Sequence, residues 1–130
     1  MTMQNLKSRL SIDHVVLVVK NIARTRNFYT KIFGNPNHQS KFFLMYLVGK
    51  TKLFLALPYG KLPKNDKFSA NRIGLEHLAF GVSSLKILKQ ISGHLSKTRI
   101  AHSGIHIDRH SKKEKIWLND PDGIRLEFYR

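Results

Sequence analysis

The feature that most narrows the fold is an internal echo. Residues 12–19 read IDHVVLVV and residues 75–82 read LEHLAFGV, two short apolar runs with histidine in third place and a helix-like segment just after each. Runs of this kind, rich in β-branched and other apolar residues, specify strands buried on at least one face. Two copies of strand-then-helix imply two similar supersecondary units in tandem rather than one continuous architecture.

The segments after each echo extend the parallel. In the first half Asn21 can cap a helix in which Ile22, Tyr29, Ile32 and Phe33 recur at helical spacing, and Gly34 with Pro36 ends it. Strands are expected over 41–48 and 52–57, joined by a tight turn at Gly49-Lys50, with a further short strand near Asn37. In the second half Ser83 or Ser84 caps a helix carrying the stripe Ile87, Leu88, Ile91 and Leu95. Strands follow at about 100–108, 115–118 and 124–129, the last two joined by Asp120-Pro121-Asp122-Gly123, a good type I turn sequence. Residues 58–72, PYGKLPKNDKFSANR, show neither period and read as a long exposed connection. The expectation is therefore an α+β fold in a single domain, 1–130. Two βαβββ modules, 12–57 and 74–130, are joined by a linker at 58–73. Each sheet needs its helix on one face and leaves the other free, so two such faces can form a cup.

Composition narrows the chemistry. A chain of 130 residues with 42% hydrophobic residues can bury one modest core. The absence of cysteine removes disulfides, thiol nucleophiles and thiolate metal sites together, so any metal must be held by imidazole, carboxylate or water. The polar start of the chain has no apolar stretch of signal-peptide length. No later apolar run reaches the roughly 20 residues of a membrane span, so a soluble, cytoplasmic protein with no membrane partner is expected. The formal charge of +15 attracts nucleic acid, anionic membranes or anionic small substrates. Lys and Arg are spread over nearly every segment, and no aromatic-studded basic helix or arm appears. The charge reads as a solvated basic surface rather than a nucleic-acid interface.

Side chains alternate across a strand, so His14 shares a face with Ile12, Val16 and Val18, and His77 with Leu75, Ala79 and Gly81. On the last strand Glu127 shares its face with Arg125 and Tyr129, and the repeat puts Phe54 at the corresponding place in the first half. Taken singly, each of these residues has an ordinary account: a core histidine for the first two, a solvated carboxylate for the third. Repetition makes them one candidate site. Two neutral imidazoles and a carboxylate supply three ligands with positions left for water and substrate, the pattern of a catalytic metal. Phe54 contributes no ligand and makes one wall of the pocket hydrophobic. Lys52, Arg125 and Tyr129 are candidates to grip an anionic substrate. His102, His106 and His110, spaced by four, form a rival cluster whose simpler account is a polar hairpin with surface histidines.

The segments IDHVVLVVKNIARTRNFYTKIFG, GLEHLAFGV and IWLNDPDGIRLEFYR resemble the vicinal oxygen chelate superfamily, which includes glyoxalase I, extradiol dioxygenases and fosfomycin-resistance enzymes. The shared grammar is a histidine in the first strand, a helix with Phe-Tyr, a second histidine-bearing strand, and Asp-Pro-Asp-Gly three residues ahead of a glutamate. The resemblance implies the two-module cup and one divalent ion (Mn, Fe, Ni, Co or Zn) on His14, His77 and Glu127. It also implies a homodimer and a metal acting as Lewis acid, as in fosfomycin-resistance-type thiol transferases or glyoxalase-type lyases, with Glu127 available as a base. Glutathione or another thiol is then a candidate co-substrate. Extradiol ring cleavage and non-catalytic sequestration of a small ligand are the alternatives. Phe54 stands where glyoxalase I enzymes usually carry a second metal-bound glutamate. Val16 stands where the fosfomycin enzymes carry an active-site hydroxyl, which makes Val16 and Phe54 substrate-facing candidates.

Overall fold

The computed structural model describes residues 3–130 and divides the chain into two compact units, the first ending at Lys61 and the second running Leu62–Arg130. Two short 3-10 turns, Met3–Asn5 and Lys7–Arg9, precede the first strand. The first unit then runs β1 (His14–Val18), α1 (Ile22–Phe33), β2 (His38–Gln39), β3 (Phe43–Val48) and β4 (Thr51–Ala56). The second repeats the order with β5 (Leu78–Gly81), α2 (Leu85–Lys97), β6 (His106–Ile107), β7 (Glu114–Asn119) and β8 (Arg125–Tyr129). The chain is thus α+β with two βαβββ modules. Each is a four-stranded mixed sheet in the same order, β1-β4-β3-β2 and β5-β8-β7-β6, with the first and last strands of each module paired in parallel.

Local chemistry explains the element ends. The Asn21 side chain accepts a hydrogen bond from the Arg24 N–H at 2.9 Å, and Ser84 Oγ accepts from the Ile87 N–H at 3.2 Å, so both helices start on capped N-termini. Gly34, at φ +78°, ends α1 in a conformation that L side chains rarely adopt, while its N–H still reaches the Thr30 carbonyl. In the last hairpin Asp120 Oδ1 accepts from the N–H groups of Asp122 and Ile124 at 2.8 and 2.9 Å, which pins the turn that launches β8.

Each sheet buries one face under its own helix. In the first unit Leu44, Tyr46, Leu53, Leu55 and Leu17 are buried there with Tyr29 from α1. In the second Ile116, Leu118, Leu126 and Phe128 are buried with Leu88 and Leu95 from α2. Alternation sends the intervening residues to the other face, which carries no helix. No helix among the described residues is long and apolar enough to cross a membrane.

Two expected strands are shorter than the pattern suggested. The run at 75–82 pairs only from Leu78, leaving Glu76 and His77 just ahead of the ladder. The run at 100–108 pairs only at His106–Ile107. There the Ile100 N–H closes the end of α2 onto the Leu95 carbonyl, and Gly104 sits at φ +72°, so the intervening residues cannot stay extended.

Candidate metal centre

Register places the repeat-equivalent residues in equivalent places. Val16 pairs with Phe54 across β1 and β4, and Ala79 pairs with Glu127 across β5 and β8, so each lies two residues past its histidine. Phe54 and Glu127 are therefore the same position in the two units, as the sequence repeat implied.

In the second unit Glu127 is only 3% exposed. A carboxylate so enclosed needs compensating partners. One is Lys115, whose Nζ lies 3.1 Å from Glu127 Oε1 and 3.3 Å from Asp108 Oδ1. Burial pulls the Lys115 pKa down, but the hydrogen bonds to Glu127 and Asp108 outweigh it and hold the ammonium charged. Asp108 is held far below the usual carboxylate range by the Ser111 backbone N–H, then by hydrogen bonds from Tyr129 and Lys115.

The other oxygen faces His77. His77 Nε2 lies 3.6 Å from Glu127 Oε2, while His77 Nδ1 is 2.9 Å from Glu76 Oε1. An ionised carboxylate can only accept, so Nδ1 carries the proton of this bond, and it is the neutral form of the ring that presents a lone pair at Nε2. Two electron-rich atoms thus face each other beyond hydrogen-bond reach. Their separation is one that two donors about 2.0–2.2 Å from a single tetrahedral ion can span. The donor set fits a divalent cation, with the carboxylate–imidazole partner that metal-bound histidines usually have.

The first unit repeats half of this. His14 Nδ1 lies 2.8 Å from Asp13 Oδ2, and Asp13 is held below its ordinary pKa by that hydrogen bond and by the Lys52 charge. Its remaining surroundings are apolar: the His14 and Phe54 rings meet edge-on at 5.8 Å, and Phe54 and Phe43 lie 5.8 Å apart. Val16 and Val18, each 51% exposed, share that open face. Among the described residues no group of three or more His, Asp and Glu side chains is gathered into a complete cage, and the assembled donor pair is His77 with Glu127.

The remaining candidates separate cleanly. Arg125 lays its guanidinium 4.1 Å over the Trp117 ring. Tyr129 is anchored rather than frayed, with its hydroxyl 2.7 Å from Ser111 Oγ and its backbone paired on both sides. In the rival cluster His102 Nδ1 accepts the Gly104 N–H at 3.0 Å, so its Nε2–H donates to Ser96 Oγ at 2.9 Å. His106 turns toward Ser103 and Gly104 instead, and the cluster shares no common point. Sequence reasoning missed Asp13, Glu76 and Lys115. The acid directly before each histidine was a visible signal; the place of Lys115 diagonal to Glu127 follows only from the β7–β8 register.

Comparison with known proteins agrees with this architecture. Residues 11–128 match the family model of the Glyoxalase/Bleomycin resistance protein/Dioxygenase superfamily. The chain belongs to that superfamily. Among similar proteins, a trivalent organoarsenical cleaving enzyme of Bacillus sp. (strain MD1) is 28% identical over 125 residues, which cover 89% of this chain and 70% of that protein. The uncharacterized protein YaeR of Escherichia coli (strain K12) is 25% identical, covering 91% and 94%. The crystal structure of a glyoxalase family protein from Enterococcus faecalis superposes with a TM-score of 0.67 at 25% identity, covering 92% of this chain and 97% of that one. The superfamily includes enzymes, and divalent metals are common among its members.

Proposed function

We propose that this superfamily member is a divalent-metal-dependent lyase or transferase acting on a small anionic electrophile. His77 and Glu127 serve as metal donors, and His14 is the third donor on the ground of the repeat. The observation that carries the reading is the His77 Nε2–Glu127 Oε2 pair, two acceptors aimed at each other across 3.6 Å with their other atoms already engaged.

A bound ion would supply Lewis acidity, stabilising negative charge that develops on a substrate oxygen. The chain's own residues do the rest. Glu76 orients the His77 ring, and Lys115 holds Glu127 Oε1 so that Oε2 is the atom offered. Lys115, Arg125 and Tyr129 line the same face of the second sheet and favour an anionic group, a phosphonate, a carboxylate or a glutathione-bearing substrate. Phe54 and Val16 favour an apolar portion. Glu127 is the candidate base, and a thiol co-substrate, a homodimeric assembly and a cytoplasmic setting belong to the same proposal. The organoarsenical activity of one relative is not carried over: trivalent arsenic prefers thiolates, and this chain has no cysteine.

A second reading has its own support. The aromatic cluster of His14 with the half-buried rings of Phe54 and Phe43 would suit a protein that holds a flat apolar ligand without turning it over. Elemental analysis of the purified protein, followed by epoxide, hemithioacetal and catechol substrates, separates the readings. About one Mn, Fe, Ni, Co or Zn per chain, lost in His77→Ala, with turnover of one substrate is the expected result. No uptake of a divalent ion would sink the metal-enzyme reading, and intact ligand after long incubation would favour sequestration.

A further inference from the structure

We propose that Asp13 and Glu76 are paired positioning residues, each presetting the histidine that follows it in the Nδ1–H form so that Nε2 presents its lone pair outward. The inference rests on the reading of these imidazoles as donors, but its first consequence, the ring tautomer, holds with or without an ion.

Adjacent residues in a regular strand point to opposite faces, so an acid directly before a strand histidine should turn away from it. Here both turn back. The carboxylate-to-Nδ1 distances are 2.8 Å for Asp13–His14 and 2.9 Å for Glu76–His77. Both acids lie just ahead of the paired ladder, Asp13 before β1 at His14 and Glu76 before β5 at Leu78, where alternation is not imposed. The two acids differ by a methylene yet reach the same atom at nearly the same distance. The contact therefore repeats in two units with different side chains, which a chance surface contact would not be expected to do.

The consequence is set by hydrogen-bond chemistry. A carboxylate only accepts, so it selects the Nδ1–H ring over the Nε2–H ring, and Nε2 is left as the outward acceptor. Partners of this kind fix ring orientation and raise ligand basicity, and removing one costs roughly 10–100-fold in metal affinity. In the first unit the acid is itself steadied: the Asp13 carbonyl accepts the Lys52 backbone N–H at 2.9 Å, and the Lys52 ammonium lies 3.9 Å from its carboxylate.

The test uses the full chain labelled with nitrogen-15 on histidine. Long-range proton–nitrogen correlation spectra, recorded without metal at about pH 8, above the usual histidine pKa, report which ring nitrogen carries the proton. His14→Gln and His77→Gln assign the signals. The expected result is the Nδ1–H form for both histidines. Asp13→Leu should move His14 alone toward the Nε2–H form, and Glu76→Leu should move His77 alone, because each removes the acceptor that an Asn or Gln oxygen would retain. In parallel, calorimetric titration with Zn(II) or Mn(II) alone should show affinity for Glu76→Leu falling roughly 10–100-fold.

Nε2–H rings in the native protein, or tautomers unmoved by either substitution, would overturn the proposal. Tautomers that shift while affinity stays unchanged would overturn the supporting role. Tautomers that shift in a chain that binds no ion would leave this pairing standing and remove the metal function instead. A fall in thermal stability with the tautomers unmoved would mark the acids as structural and count against the proposal.

Discussion

The two units share a scaffold and differ in what they display on it. Their helix faces are alike: Leu53 and Leu126 occupy equivalent positions, both buried, and each sheet packs an aromatic-and-leucine layer against its helix. Their histidines are alike too, each followed two residues later by a position paired to Phe54 or Glu127. The open faces diverge at two linked places. Phe43 and Phe54 make a ring pair in the first unit, and Lys115 and Glu127 make an ion pair at the same two places in the second. The repeat thus supplies the fold and the oriented imidazole in duplicate, while the carboxylate and its counter-cation appear once. That asymmetry gives the first unit an apolar open face and the second a charged one.

The sharpest way to break this comparison is to remove the unmatched residue. Glu127→Ala should abolish divalent-ion binding, a loss exceeding the roughly 10–100-fold controlled by a supporting partner. Phe54→Ala, at the equivalent position, should leave binding essentially intact. Calorimetry with Zn(II) or Mn(II) on both variants checks this, and equal losses would mean that the two positions are not functionally distinct. The scaffold makes the opposite demand of symmetry. Leu53→Ala and Leu126→Ala should each cost about 2–5 kcal/mol, because both delete a fully enclosed side chain under a helix. Denaturant unfolding measures both, and a much smaller loss in one unit would show that its core is not the equivalent of the other.

Lys115 gives a finer test with the opposite sign. Its ammonium lies 3.1 Å from Glu127 Oε1, so it repels an incoming divalent ion and competes for the same carboxylate. Lys115→Met should therefore raise metal affinity, by about tenfold on the scale of a partly screened charge. Turnover of an anionic substrate should fall in the same variant. Weaker metal binding in Lys115→Met would show that holding Glu127 Oε1 in place outweighs the repulsion of the ion.

Most of the architecture was legible because each signal was local. Asn21, Ser84 and Gly34 announced helix ends, and the strand alternation grouped Glu127 with Arg125 and Tyr129 on one face of β8. The equivalence of Phe54 and Glu127 was also readable, since each falls inside the strand that closes its repeat. What escaped depended on backbone detail. Residues 100–105, IAHSGI, read as the start of a strand, yet Ile100 closes onto α2, Gly104 takes a positive φ, and the ladder begins only at His106. Glu76 and Asp13 were passed over because strict alternation turns each away from the histidine that follows it. Lys115 looked like one more surface cation in a chain of net charge +15, and only the β7–β8 register shows that it lies diagonal to Glu127.

The smallest expected effect comes from copying one wall onto the other. Phe43→Lys and Phe54→Glu together write the Lys115–Glu127 pair into the first unit at equivalent positions. Each single change puts a charge on an apolar face beside an aromatic ring and should destabilise by about 1–3 kcal/mol. The double variant should be more stable than the sum of the singles by about 1 kcal/mol, the upper range for a pair that water still reaches. A double-mutant cycle on unfolding free energies reads that coupling. If it is absent, the first sheet does not bring the two places together as the second does, and the likeness of the units stops at the backbone. If it is present, the same geometry holds either a ring pair or an ion pair. The metal chemistry proposed for the second unit then follows from two substitutions on a shared scaffold rather than from a different fold.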